Sequence, residues 1–100
     1  MTKEIVSIEL SVISFDGKIM ESHTSNAENV IEDLTIREDF DSAWVQMISE
    51  GEYEIMKEID NEMYESACKF IDSPHLEGTI NFKYDNDTFP FSIVVTVKRN

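Results

Sequence analysis

Apolar and polar residues alternate at the N-terminal end of the chain, which is the pattern of a half-buried β-strand. The alternation covers residues 4–15, and Asp16-Gly17 directly after it predicts a type I′ hairpin turn. Residues 18–24 are therefore expected to return as a second strand. One face of the first strand carries Val6, Ile8, Leu10 and Val12, and the other face carries Ser7, Glu9 and Ser11.

Residues 76–98 return to a period of two and predict a second hairpin. Its turn is expected at residues 85–87, where Asp, Asn and Asp follow one another. Pro90 has no backbone N–H, so we expect the start of the last strand to lie at a sheet edge or a bulge. The apolar face of that strand is formed by Phe89, Phe91, Ile93, Val95 and Val97.

Between the hairpins, apolar residues recur at helical spacing, and three capping-box signals mark helix starts. They predict three helices, of which the first two can merge through a kink near residues 35–37. The third and longest is expected over residues 52–72, because Ser73-Pro74 stops it. The three boxes are Ser25 with Glu28, Thr35 with Glu38, and Ser49 with Glu52.

The order ββ-ααα-ββ predicts an α+β fold in a single domain over residues 1–100. The expected architecture is a four-stranded, mostly antiparallel sheet made of two β-hairpins, with the helices packed on one face. The opposite face of the sheet is expected to be hydrated and rich in Ser and Thr.

Composition and charge narrow the choice of partner and compartment. A single cysteine excludes an internal disulfide and favours a reducing, cytoplasmic setting, and no segment has the length and apolarity of a signal peptide or a spanning helix. The net charge is −13, and residues 26–66 alone hold thirteen acids and two bases. Such an excess repels nucleic acids and anionic membranes, so the expected partner is a basic protein in a heteromeric complex.

The predicted helix over residues 52–72 has one apolar and one acidic side. Glu54, Glu58 and Glu62 follow one another at i, i+4, so their carboxylates repeat about every 6 Å along one line. Like charges at this spacing cost about 0.2–0.5 kcal/mol per pair, which favours a role in binding over one in stability. The candidate partner-binding residues are Glu50, Glu52, Glu54, Glu58, Glu62, Glu65, Asp39 and Asp41.

Plainer explanations of the same residues stay open. Acidic side chains also improve solubility, and Asp39 and Asp41 favour the dipole of a helix start. Trp44 lies in an apolar helical stripe and is expected in the core. The alternative is that Trp44, or Tyr53 and Tyr64 at the edge of the next stripe, are exposed interface anchors.

No arrangement of residues predicts catalysis or a metal site. Cys68 is the only thiol, and its angle on the predicted helix places it at the edge of the core stripe. A catalytic pair with His23 or His75 would need these residues to converge in space, which the sequence does not show. Two isolated histidines and one cysteine do not form a zinc site, and the three glycines form no phosphate-binding pattern. We therefore expect no enzyme activity, no cofactor and no metal.

These observations favour a small acidic binding protein that neutralises a basic partner by electrostatic and steric occlusion. The most concrete version is an immunity protein that blocks the nuclease domain of a bacterial toxin. One alternative is a phage-encoded nucleic-acid mimic that inhibits a host defence nuclease. Another is a non-enzymatic adaptor domain that binds a partner strand through a sheet edge.

Overall fold

The structure, a computed structural model, describes residues 4–30, 34–49, 61–73, 76–84 and 90–100. Within these ranges the chain forms four strands, two α-helices and a short π-helical segment. The strands are β1 (Ile5–Ser14), β2 (Ile19–Asn26), β3 (Gly78–Tyr84) and β4 (Phe91–Arg99), and the helices are α1 (Ile36–Trp44) and α2 (Asn61–Asp72), with the π-helical segment at Val45–Ser49.

The four strands form one antiparallel sheet in the order β2-β1-β4-β3, so the predicted α+β class and the two hairpins are confirmed. The first and last strands pair at the centre of the sheet, and the hairpin partners lie at its edges. The expectation that the last strand starts at an edge or a bulge is therefore wrong. Pro90 precedes β4, so its missing N–H removes no bond from the ladder.

The core lies between the helices and the face of the sheet formed by alternate residues of β1 and β4. The register places Leu10 opposite Val95 and Val12 opposite Ile93, and all four side chains are buried. The helices complete this core with Phe40, Ala43 and Trp44 from α1, Ile48 from the π-helical segment, and Ala67 and Ile71 from α2. Trp44 is only 5% exposed, which confirms its place in the core.

The turn of the first hairpin differs from the predicted type I′ turn on Asp16-Gly17. The Gly17 N–H bonds to the Ser14 carbonyl at 2.9 Å, so the turn is centred on Phe15 and Asp16. Gly17 follows the turn at φ 85°, a conformation that glycine adopts without steric cost. The Asp16 carboxylate stabilises this longer loop by accepting bonds from the Lys18 N–H at 3.2 Å and from the Ser14 hydroxyl.

The predicted helix start at Ser25 is wrong, because Ser25 belongs to β2 and is buried opposite Ile8. The helix-like signal comes from the next residue. The Asn26 side chain accepts bonds from the N–H groups of Glu28 at 3.0 Å and Asn29 at 2.8 Å. These bonds hold a turn over residues 27–29. A polar side chain thus binds the backbone N–H groups that follow it, as an N-cap does, but no helix begins at this point.

The second predicted capping box is confirmed at the start of α1. Thr35 is the N-cap, its hydroxyl accepts from the Glu38 N–H at 3.1 Å, and the Glu38 carboxylate reaches back to the Thr35 N–H at 3.4 Å. The box satisfies backbone donors that the first turn of a helix leaves unpaired. The third box, Ser49 with Glu52, lies outside the described residues on its Glu52 side.

Replacing Thr35 with Ala is expected to lower the free energy of unfolding by about 1 kcal/mol, because the N-cap oxygen is lost. Urea unfolding followed by far-UV circular dichroism measures the change. Thr35→Ser keeps the oxygen and is the matched control. Equal losses in the Ala and Ser variants would show that the cap does not stabilise α1.

The described part of the long predicted helix runs over Asn61–Asp72 and ends at Ser73, as expected, while its first half lies outside the described residues. Arg99 of β4 holds its C-terminal end. The Arg99 guanidinium donates to the Ile71 carbonyl and, at 2.6 Å, to the Leu76 carbonyl. These bonds satisfy acceptors at and beyond the last turn of α2. No helix in the described ranges is long and apolar enough to cross a membrane.

Candidate functional site

Two of the predicted binding residues lie on α1 and face different neighbours. Asp39 faces the edge strand β2, where the His23 Nε2 atom lies 2.7 Å from its Oδ2 atom. The Asp39 side chain is only 14% exposed, compared with 40% for His23. Asp39 is therefore a mostly buried partner of this chain's own histidine.

The surroundings of Asp39 favour its charged form. Burial by itself raises the pKa of Asp39, but the Ser25 hydroxyl and then the His23 ring lower it by more, so the pKa lies below its ordinary value of 3.8. The Ser25 hydroxyl is close enough for this electrostatic effect, although it does not meet hydrogen-bond geometry with any described residue. Two polar groups from β2 thus stabilise one carboxylate of α1.

This pKa shift predicts a loss of stability at acid pH. Because the folded-state pKa of Asp39 is depressed, its contribution is present above pH 3.8 and is lost as the pH falls through the lower folded value. Urea midpoints between pH 5 and about pH 2 should therefore fall less steeply in Asp39→Asn than in the wild type. The Asp39 carboxyl carbon, titrated by NMR, should respond below pH 3.8; a midpoint above that value would contradict the assignment.

Polar residues occupy every helix-facing position in the middle of β2. Glu21, His23 and Ser25 stand opposite the buried residues of β1. The Glu21 Oε2 and Ser25 Oγ atoms are buried, and neither has a hydrogen-bond partner within the described ranges. The sequence signal was the spacing of polar residues at i, i+2 and i+4: Glu21 and His23 lie in the predicted strand over residues 18–24, and Ser25 was instead predicted to start a helix.

Ser25, His23 and Asp39 are not arranged as a serine nucleophile with a histidine base and a supporting carboxylate. A catalytic serine needs its hydroxyl within hydrogen-bond reach of the histidine, with the carboxylate on the other ring nitrogen. Here His23 contacts Asp39, and the influence of Ser25 falls on the carboxylate. The arrangement fixes the contact between α1 and β2.

Asp41, the second predicted residue on α1, belongs to a network that joins α1 to α2. Its Oδ1 atom accepts bonds from the Arg37 guanidinium and, at 2.6 Å, from the Tyr64 hydroxyl. Arg37 also bonds through Nε to the Asp72 carboxylate at 3.0 Å. Asp41 is 41% exposed, so it contributes to internal contacts while one side of it still meets solvent.

The network stabilises the charged guanidinium and the neutral phenol. Burial lowers the pKa of Arg37, but its bonds to Asp72 and Asp41 outweigh burial and raise the pKa well above the ordinary value. The bond to Asp41, and then burial, raise the pKa of Tyr64. The Tyr64 ring also packs at 5.6 Å from the Trp44 ring, so this tyrosine joins α2 to the core and is not a freely exposed anchor.

The remaining predicted site residues are in and before α2. Glu65 is exposed there, and Cys68 in the same helix is half-buried, at the edge of the core as expected. The structure describes the backbone of Glu62 but not its side chain. The predictions for Glu50, Glu52, Glu54 and Glu58, together with the interface alternative for Tyr53, lie outside the described residues.

The face of the sheet away from the helices has a different charge character. Its exposed charged side chains in the described strands are Glu9, Lys83 and Lys98, one acid and two bases. Around them lie neutral residues, including Ser22, Thr24, Asn81 and Thr79, which bonds to Thr96 at 3.0 Å. The expected hydrated Ser/Thr face is thus present, and the excess of acids does not extend to it.

An open cavity of about 330 Å³ adjoins Asp41 at the end of α1. Among the described residues, Asp41, Ser42, Val45 and Gln46 line it, of which the last two belong to the π-helical segment. Ser42, Val45 and Gln46 are exposed to solvent. The cavity therefore combines a carboxylate with neutral polar groups and an apolar wall.

Groups of three or more side chains suited to holding a metal ion do not occur among the residues that the structure describes. Comparison of the chain with protein-family models, with curated proteins and with solved structures finds no significant match in any of the three. The function is therefore inferred from the chemistry of the residues themselves.

Proposed function

We propose that this chain is a small acidic binding protein of the cytoplasm that neutralises a basic protein partner. The observation that carries the proposal is the uneven distribution of charge. Residues 26–66 hold thirteen acids and two bases, whereas the outer face of the sheet carries Glu9, Lys83 and Lys98. The acids are thus concentrated in one part of the sequence, and the described outer face of the sheet is nearly neutral.

This asymmetry suits an inhibitor that must bind quickly. A field of one sign raises the rate at which an oppositely charged protein is encountered by roughly 10- to 1,000-fold. Three acids in the described helices have internal partners: Asp41 and Asp72 pair with Arg37, and Asp39 bonds to His23. The contacts to a partner are therefore assigned to the remaining predicted residues, from Glu50 to Glu65, and to the exposed side of Asp41.

The partner chemistry best matched by this surface is a cleft that normally binds nucleic acid. We assign the chain to the class of immunity proteins, with the nuclease domain of a bacterial toxin as its target. A phage-encoded nucleic-acid mimic would use the same electrostatics against a host defence nuclease. Blocking access to the cleft requires no covalent step, in keeping with the proposed absence of enzyme activity.

An adaptor that binds through a sheet edge is the second candidate. The observation in its favour is that β2 and β3 are the outer strands of the described sheet, each with backbone groups on its outer side. This candidate predicts binding that is insensitive to salt and to the acidic residues. The two candidates therefore differ in their response to charge reversal.

A capture experiment separates the two candidates. The wild type and the variant Glu54→Lys/Glu58→Lys/Glu62→Lys are immobilised, native lysate is passed at low salt, and retained proteins are identified by mass spectrometry. The proposal predicts a basic, nuclease-like protein that the wild type alone retains and that salt elutes. Retention of the same protein by both forms would contradict it and favour the sheet edge.

A further inference from the structure

The cavity beside Asp41 has the chemistry to bind a basic side chain. Asp41 accepts both of its bonds from Arg37 and Tyr64 on Oδ1, and its Oδ2 atom accepts none from the residues that the structure describes. A carboxylate offers about four acceptor positions on its two oxygens. Asp41 therefore keeps acceptor capacity for a cation from outside while it remains bound to its internal partners.

The walls of the cavity match the rest of such a side chain. Lysine and arginine place an apolar stem against apolar surface and keep the charged head among polar groups. Val45 is 44% exposed and provides the apolar surface, while Ser42 and Gln46 provide neutral hydrogen-bonding groups beside Asp41. A volume of about 330 Å³ is at the small end of ligand cavities, which suits one side chain.

The backbone at this place is also unusual. Val45–Ser49 is π-helical, and the Val45 N–H is shared between the carbonyls of Asp41 and Ser42. Short π-helical segments inside or after α-helices occur frequently at functional sites. The Thr35 capping box and the Arg37–Asp72 ion pair hold the preceding helix, so the cavity is placed by a firmly anchored element.

We propose that the cavity lined by Asp41, Ser42, Val45 and Gln46 receives one lysine or arginine side chain of the basic partner. The cation bonds to Asp41, and its stem lies along Val45. This inference rests on the proposed function, because it identifies where one basic residue of the partner binds. It also gives Asp41 two roles, one in joining α1 to α2 and one in recognition.

The test uses the ¹⁵N-labelled chain of residues 1–100 at low salt and the probe peptide acetyl-Gly-Arg-Gly-amide. The matched control peptide contains citrulline, which keeps the shape of arginine and lacks its charge. We expect saturable chemical-shift changes at the backbone amides of residues 41–46 with the arginine peptide and none with the citrulline peptide. Changes that are equal for both peptides, or that spread over exposed acids such as Glu28 and Glu65, would overturn the inference.

A pair of variants tests the cavity while residue 41 itself remains Asp. Ser42→Arg places a cation of the chain itself in the cavity and should weaken binding of the arginine peptide about tenfold, the effect of one charge-assisted hydrogen bond. Ser22→Arg makes the same change at an exposed position on the outer face of the sheet and should leave the affinity within about twofold. Equal affinities of the two variants would overturn the cavity site.

The same pair distinguishes failure of this inference from failure of the proposed function. If the captured partner binds Ser42→Arg and Ser22→Arg equally but loses affinity for the Glu54→Lys/Glu58→Lys/Glu62→Lys variant, the cavity is wrong and the acidic inhibitor stands. If this triple charge reversal has no effect, the proposed function itself is wrong, and with it this cavity site.

Discussion

Replacing Phe40 with Ala is expected to lower the free energy of unfolding by about 3–5 kcal/mol. Phe40 is 0% exposed, its ring centre lies 6.1 Å from that of Trp44, and its helix α1 packs on β1 and β2. Removal of the ring loses its apolar burial and leaves a cavity that its neighbours fill only in part. Trp44 is the single tryptophan of the chain, so its fluorescence during urea unfolding reports the loss directly.

Phe15 provides the matched control for this prediction. It is 75% exposed at the tip of the first hairpin, so Phe15→Ala removes the same atoms from a solvated position. We expect a change within about 0.5 kcal/mol for this variant. If Phe40→Ala does not fold, Phe40→Leu replaces it, and its loss of unfolding free energy should lie between those expected for Phe15→Ala and Phe40→Ala. Similar losses for the Phe15 and Phe40 variants would show that α1 does not pack on the sheet as described.

The second large effect is expected on binding. The variant Glu54→Lys/Glu58→Lys/Glu62→Lys raises the net charge from −13 to −7, because each reversal adds two positive charges. The proposal predicts association with the basic partner that is roughly 10- to 1,000-fold slower at low salt, because steering depends on the local field. Stopped-flow or surface-plasmon kinetics with the purified partner measure this rate, and circular dichroism checks that the fold is kept.

A second triple variant controls for the total charge. Glu4, Glu9 and Glu77 are exposed residues outside the helices, and reversing all three also gives a net charge of −7. This control should slow association far less than the Glu54/Glu58/Glu62 reversal, because its changes lie outside the proposed binding residues. Equal slowing in the two triple variants would show that only the total charge matters and that Glu54, Glu58 and Glu62 do not form a binding site.

The elements predicted most fully from the sequence are those with a long, regular period. The strict alternation of residues 4–15 and 91–97 predicts two strands whose inward faces must be buried together, and they form the central pair of the sheet. The Thr35 capping box predicts the start of α1 because two complementary side chains must lie three residues apart. In both cases the signal is repeated or reciprocal, so chance agreement is rare.

Single local signals were less reliable. Ser25 and Glu28 have capping-box spacing, but Ser25 is paired in β2 with Ile8, and the turn after it is capped by Asn26. Asp16-Gly17 likewise favours a turn without fixing which two residues occupy its centre. In each case one short-range preference fits two structures, and strand pairing decides between them.

The contacts made by the predicted acids were beyond the reach of the sequence for a different reason. Asp39 meets a histidine 16 residues away, and Asp41 meets a tyrosine 23 residues away. Arg37 and Asp72 are separated by 35 residues. These pairs depend on how α1 lies against β2 and α2, which charge counting along the chain does not determine. Two of the predicted binding residues, Asp39 and Asp41, therefore have internal partners that the sequence did not reveal.

Electrostatic attraction of a basic partner is tested most directly by the salt dependence of the association rate between this protein and its captured partner. We expect the wild-type rate to fall steeply as salt is added and the Glu54/Glu58/Glu62 reversal to flatten this dependence. The Glu4/Glu9/Glu77 control should keep most of the wild-type slope. Identical slopes for the wild type and the Glu54/Glu58/Glu62 reversal would contradict the claim that these acids attract the partner.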